Sequence, residues 1–298
     1  MKAEETVFRT IVEVPKWSNP MQQSQHFVLL GSCFAQHIGE LFLDYGLNCV
    51  CNPLGVTYNP KSIAIQVREA LEGFSDSSIF HFDGKWRCWW ASTLISDTDE
   101  ERFRKTLPNT FAELGKSLRN ADYLFITLGT NVCYLLRESG MIVANCHKAP
   151  SKLFDEIAID TQECIETLSD MMELLVRECP KLQVVLTVSP YRYRKYGFHG
   201  NQLAKANLLL AIDEICCMYS EKAMYFPAYE ILLDELRDYR FYADDMIHPA
   251  PAAVNYIWQK LVESCMDEEM QQHLKNYEPI RKAKGHKPLN SSPLTLNS

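Results

Sequence analysis

Five short apolar, β-prone runs, at 27–30, 47–51, 123–128, 184–188 and 223–226, are separated by stretches of helical periodicity. The longest, Tyr123-Leu124-Phe125-Ile126-Thr127-Leu128, is almost continuously apolar. That pattern belongs to a strand covered on both faces, not to one with a wet side. Between the runs, apolar residues recur at helical spacing over 34–45, 60–73, 99–119, 161–178 and 201–219. A closing helix over 250–265 starts at Pro249 and is apolar at Val254, Ile257, Trp258 and Leu261. Such alternation predicts an α/β fold, a three-layer α/β/α sandwich around a mostly parallel five-stranded sheet. Ligands of these sheets bind at the carboxyl ends of the strands. Ser32, Gly55, Asn131 and Ser189 all fall at such ends.

The chain has 298 residues, 47% of them hydrophobic, enough for one large core. One domain is expected over residues 1–278. A hairpin insertion is expected at about 80–95, where Asp83-Gly84 lies between aromatic residues. A mobile basic tail is expected over 279–298. The formal net charge of -8 argues against a nucleic-acid surface. No run approaches the ~20 apolar residues of a membrane helix, and no apolar segment follows the acidic N-terminus. The 11 cysteines are odd in number and lack framework spacing, which fits a reducing compartment and a cytoplasmic location. HExxH, CxxC, P-loop, GxGxxG and GxSxG patterns are all missing. The histidines show no paired ligand spacing, so neither a metal nor a cofactor is expected.

Three local patterns carry chemistry. In Gly31-Ser32-Cys33-Phe34-Ala35, the glycine permits a tight turn between the first strand and helix. Ser32 then emerges beside the free N–H groups of the helix. A serine there suits attack on a carbonyl, and it suits an N-cap equally well. In Asp245-Met246-Ile247-His248, the carboxylate is placed to hold one tautomer of the ring, which can then take a serine proton. In Gly129-Thr130-Asn131, the amide at a strand end can donate to an oxyanion, or cap a turn.

In the order serine, glycine–asparagine, aspartate–histidine, the chain resembles the SGNH (GDSL-like) hydrolases. It resembles the GSCFA-domain family more closely, through the pentapeptide at 31–35 and most of residues 7–265. Further matches are Val143-Ala144-Asn145-Cys146-His147-Lys148, Tyr225-Phe226-Pro227-Ala228-Tyr229-Glu230 and Leu236-Arg237-Asp238-Tyr239-Arg240-Phe241-Tyr242-Ala243. The resemblance implies the SGNH-hydrolase-like (flavodoxin-like) form of the sandwich. It makes Ser32 the nucleophile, His248 the general base and Asp245 its orienting partner. The implied oxyanion hole uses Ser32, Gly55 and Asn131. Val132 departs from the family block, where aspartate is common after the asparagine, and Cys33 departs from the GDS pattern.

Cys33 is a rival nucleophile, disfavoured because adjacent side chains in a tight turn diverge. Asn145 and His147 are candidates for touching substrate, with a structural histidine the simpler reading. Trp86, Trp89 and Trp90 form either a sugar platform or a small satellite core, the second being commoner. Tyr191-Arg192-Tyr193-Arg194-Lys195-Tyr196 either greets a substrate or faces solvent. The expected function is ester hydrolysis through an acyl-serine, with a short acyl group on a carbohydrate as substrate. Acyl transfer to a glycan by the same triad, or a catalytically silent glycan-binding domain, are the alternatives. Acyl group, acceptor and oligomeric state are not encoded in any motif present.

Overall fold

A computed structural model describes residues 9–285. Its centre is a five-stranded sheet in the spatial order Ala223–Tyr225, Gln183–Val188, Tyr123–Leu128, Phe27–Gly31, Cys49–Cys51. Every neighbouring pair is parallel. Numbered along the chain, these strands run 2-1-3-4-5, the flavodoxin-like order. Each expected strand is present within one or two residues of its expected ends.

Strand alternation divides the core in two. Val28, Leu30, Leu124, Ile126, Val184 and Leu186 pack with helices Pro60–Glu72, Glu100–Asn120, Thr161–Glu178 and Gly197–Met218 on one face. Phe27, Leu29, Tyr123, Phe125 and Val185 pack with helices Cys33–Asp44 and Pro251–Cys265 on the other. The sequence marks the helix starts. Asn59 accepts from the N–H of Ser62 (2.9 Å), with Pro60 behind it. Asp160 and Glu163 form a reciprocal capping box.

The expected hairpin exists as Ile79–Phe82 and Lys85–Cys88, with Asp83 and Gly84 both at positive φ, as its tight turn demands. A third strand, Ser96–Asp97, extends it. A second small antiparallel sheet, Ile142–Val143, Val132–Leu136 and Phe154–Ala158, was not expected. Its strands are short and half wet, so they lack the apolar signature that exposes the central ones. Residues 279–285, expected to start a tail, instead continue helix Glu268–Gly285. Tyr45 ties that helix down by donating to Glu278 (2.6 Å). The remainder of the expected tail lies outside the described residues.

Gly31 is the position where the backbone allows nothing else. Its φ is +133°, and a Cβ would sit 2.3 Å from the carbonyl oxygen of Thr127 in the next strand. The chain can therefore leave the sheet at once and enter the helix at Cys33.

Candidate active site

The strand order reverses between Phe27–Gly31 and Tyr123–Leu128, which opens a crevice at their carboxyl ends. Ser32 stands at its floor, 2% exposed. It N-caps helix Cys33–Asp44: its Oγ accepts from the N–H of Phe34 (3.2 Å). Its own N–H donates to the carbonyl of Thr127 (3.1 Å). Its hydroxyl donates to Ser189 Oγ (3.0 Å), at the end of the neighbouring strand Gln183–Val188.

Asp245 and His248 lie on one turn, and His248 lines the same cavity as Ser32. Nδ1 of His248 lies 2.5 Å from Asp245 Oδ2. Asp245 Oδ1 accepts from the N–H groups of Ile247 and His248, both at 2.9 Å. The imidazole hydrogen bond, aided by these two backbone donors, holds the Asp245 carboxyl down at about 2. Arg192 braces the turn. Its N–H donates to the carbonyl of Ile247 (3.0 Å) and its Nη1 to that of Met246 (3.3 Å). Its guanidinium lies over the rings of Phe198 and Tyr242.

Ser32 and His248 face one cavity of about 180 Å³, whose remaining walls are Cys33, Tyr58, Gly129, Tyr191 and Tyr193. Among the described residues, no hydrogen bond joins the two directly. The ring of Tyr191 lies against that of His248, 4.6 Å between centroids. Burial pushes the phenols of Tyr58, Tyr191 and Tyr193 above their ordinary range. They stay protonated, and so remain neutral donors around the cavity. No cluster of three or more His, Cys, Asp or Glu side chains suited to a metal ion occurs among the described residues.

Other expected site residues lie elsewhere or have committed their donors. The Asn131 amide donates to the carbonyl of Ile159 (2.7 Å). The N–H of Gly55 donates to the carbonyl of Asn52 (2.8 Å). The N–H of Gly55 is thus committed, one of the two amide N–H groups of Asn131 is held by Ile159, and neither residue is part of the cavity wall. Asn145 does not reach the cavity; its Oδ1 accepts from the N–H of His147 and the hydroxyl of Thr93. His147 is 1% exposed beside the rings of Phe80 and Trp89, its Nε2 paired with the carbonyl of Cys88 (2.9 Å). Burial lowers its pKa to about 4, so it is a neutral core residue. Trp89 and Trp90 are buried in the main core on one face of the sheet, with Trp86 packed against it, and do not form a separate satellite cluster.

Two placements differ from expectation in the other direction. Cys33 shares the cavity with Ser32, its Sγ 3.4 Å from the Tyr58 hydroxyl. Tyr191 and Tyr193 line the cavity too, which places these two rings of the 191–196 segment at the site and not in solvent. Tyr58 has no local signal, because the fold alone brings it there from the loop before helix Pro60–Glu72.

The GSCFA family model matches residues 26–261, most of the chain and every residue of this site. The chain belongs to the GSCFA family. No curated protein gives a significant match. Among solved structures, this GSCFA chain is similar to a GDSL-like lipase from Bacteroides thetaiotaomicron. That match has 12% identity and a TM-score of 0.42, covering 87% of this chain and 92% of the other. It is also similar to a carbohydrate esterase family 2 enzyme from Corynascus thermopiles. There the identity is 13% and the TM-score 0.42, over 85% of this chain and 68% of that one. Neither likeness is close enough to carry substrate or mechanism across.

Proposed function

We propose that this GSCFA protein is a serine esterase that removes a short acyl group through an acyl-serine intermediate. The carrying observation is that Ser32 and the Asp245-bound imidazole of His248 line one cavity. With Nδ1 held by Asp245, Nε2 is the nitrogen left to accept the serine proton. Ser32 Oγ attacks the ester carbonyl as its proton passes to His248. The tetrahedral oxyanion faces the first turn of helix Cys33–Asp44, whose early N–H groups lack partners within the helix. His248 then protonates the departing alcohol. It next takes a proton from water, which attacks the acyl carbon, and returns that proton to Ser32 Oγ as the acyl–oxygen bond breaks and the acid departs. The oxyanion roles expected of the Ser32 N–H, Gly55 and Asn131 are not carried forward: the first two N–H groups donate to the carbonyls of Thr127 and Asn52, and the Asn131 amide is held by Ile159 away from the cavity wall.

A cavity of about 180 Å³ holds only a few heavy atoms, below the ~300–1,000 Å³ of sites that enclose whole drug-sized ligands. It suits an acetyl-sized group with the alcohol left outside. At the mouth, Tyr58, Tyr191 and Tyr193 offer ring faces and phenolic donors, the equipment for a sugar alcohol. The test is a panel of aryl esters of rising chain length together with acetylated sugars. Short chains should turn over fastest, and Ser32→Ala should cost at least about 10⁴-fold in kcat. A fluorophosphonate should label Ser32. If Ser32→Ala retains activity that Cys33→Ala loses, the thiol is the nucleophile and this assignment is wrong.

A further inference from the structure

Two polar residues beneath the cavity have no part in the chemistry above. Ser189 is wholly buried, and its Oγ is 3.0 Å from that of Ser32. It also accepts from the N–H of Tyr191 (3.4 Å). Lys205, on helix Gly197–Met218, is 1% exposed. Its Nζ donates to the carbonyls of Gly129 (2.6 Å) and Ser189 (2.8 Å). Those residues follow directly on the two adjacent strands Tyr123–Leu128 and Gln183–Val188. A lysine buried this deeply is normally paired with an acid. Here the partners are two carbonyls, with the Tyr229 ring nearby. Stability alone gives no reason to keep an amine in such a place, since a well-packed apolar side chain would avoid the desolvation cost.

We propose that Ser189 is a further catalytic residue, whose hydroxyl holds Ser32 Oγ at rest and donates to it as the nucleophile is deprotonated, with Lys205 as the positioning residue that fixes Ser189. This rests on the reading of Ser32 as nucleophile. In the resting arrangement the Ser32 proton points to Ser189. When that proton moves to Nε2 of His248, the Ser189 hydroxyl turns its own proton onto the negative Ser32 Oγ. No proton leaves Ser189, and the count of protons is unchanged. The same bond persists, with donor and acceptor exchanged. A hydrogen bond to a charged oxygen is stronger than one to a neutral hydroxyl, so the gain falls on the reacting state. Lys205 needs only two N–H groups for its two carbonyls, and these remain in the neutral amine. The clamp therefore does not depend on its charge. By tying the ends of both strands together, it keeps Ser189 from drifting away from Ser32.

The experiment compares wild type, Ser189→Ala, Lys205→Met and Lys205→Gln. The readouts are the rate of fluorophosphonate labelling at Ser32, kcat and KM on a short aryl ester, and melting temperature. Rates are normalised to enzyme that can be titrated at Ser32, so that only folded protein counts. Ser189→Ala should slow labelling and lower kcat by roughly 10- to 100-fold, with KM little changed. Lys205→Met should lower both in the same direction, whereas Lys205→Gln, which keeps an NH₂ donor, should recover part of the loss. Wild-type labelling and kcat in Ser189→Ala would overturn the proposal even if Lys205→Met fails to fold. A folded Lys205→Met with wild-type kcat would remove the positioning role. Wild type that is not labelled at Ser32, or an active Ser32→Ala, would instead overturn the nucleophile reading and this proposal with it.

Discussion

Asp245 uses both carboxylate oxygens within its own turn, one on the imidazole and one on two backbone N–H groups. The two tasks are separable by substitution. Asp245→Asn keeps an oxygen for the backbone donors but cannot hold Nδ1–H in the same way against an ionised acceptor. The turn should survive, while kcat falls by up to about 10⁴-fold because the imidazole adopts the wrong tautomer. Asp245→Ala should lose the turn as well. Melting temperature and kcat measured on both variants check this. A fully active Asp245→Asn would break the link between this carboxylate and the base. With its pKa depressed to about 2, Asp245 contributes its bonds above the ordinary carboxylate pKa of ~3.9 and loses them only as pH falls through about 2. Acid inactivation at milder pH should therefore not arise from this residue.

Among the elements, the strand–turn–helix carrying Ser32 is built from neighbours in the chain, and the small sheet after Tyr123–Leu128 is not. Asn131 belongs to the second. Its amide and carbonyl both pair with the backbone of Ile159, 28 residues on. This fastens the entry of strand Val132–Leu136 to the exit of Phe154–Ala158, where Val132 pairs with Ala158. Asn131→Ala should accordingly cost about 1–3 kcal/mol of stability, the price of leaving a buried carbonyl unpaired. The specific activity of the folded fraction should not change. Urea midpoints and kcat from one preparation decide the matter. A stable variant with kcat reduced 10²-fold or more would return the amide to the oxyanion hole.

Across the whole molecule, the pH dependence of folding holds a contest between buried groups. Burial alone pulls Lys205 down to about 7, well below the ordinary ~10.4. Between those values the unfolded chain binds a proton that the native one does not. Stability from this site therefore rises with pH, by up to about 1.4 kcal/mol per unit. Buried thiols act in the opposite sense. Burial pushes Cys133 and Cys164 up to about 12, so their contribution is fully present below the ordinary thiol pKa of ~8.5 and is lost as pH rises from there through about 12. Subtracting the curve of Lys205→Met from that of wild type cancels the thiols. The difference should shift in favour of wild type by roughly 1–2 kcal/mol between pH 7 and 8.5. Parallel curves in urea titrations at several pH values would mean that Lys205 is not a depressed, buried amine.

Much of the fold was legible because its signals are local. Strands covered on both faces must be apolar throughout, so the runs at 27–30, 123–128 and 184–188 declare themselves. Gly31 and Ser32 can be read from a turn and a cap, and Asp245 with His248 from a three-residue turn, since each geometry closes within a few residues. Tertiary structure decided the rest. Where the N–H of Gly55 and the amide of Asn131 donate depends on which carbonyl the fold brings against each, Asn52 for the first and Ile159 for the second. Tyr58 shares the cavity with Ser32 across 26 positions, Ser189 bonds Ser32 across 157, and Lys205 in turn holds the Ser189 carbonyl. Nothing near them in sequence marks the encounter. Strand order alone brings the ends at Gly31, Gly129 and Ser189 side by side, and a hydrogen bond forms only between groups that the packing has already placed within about 3 Å.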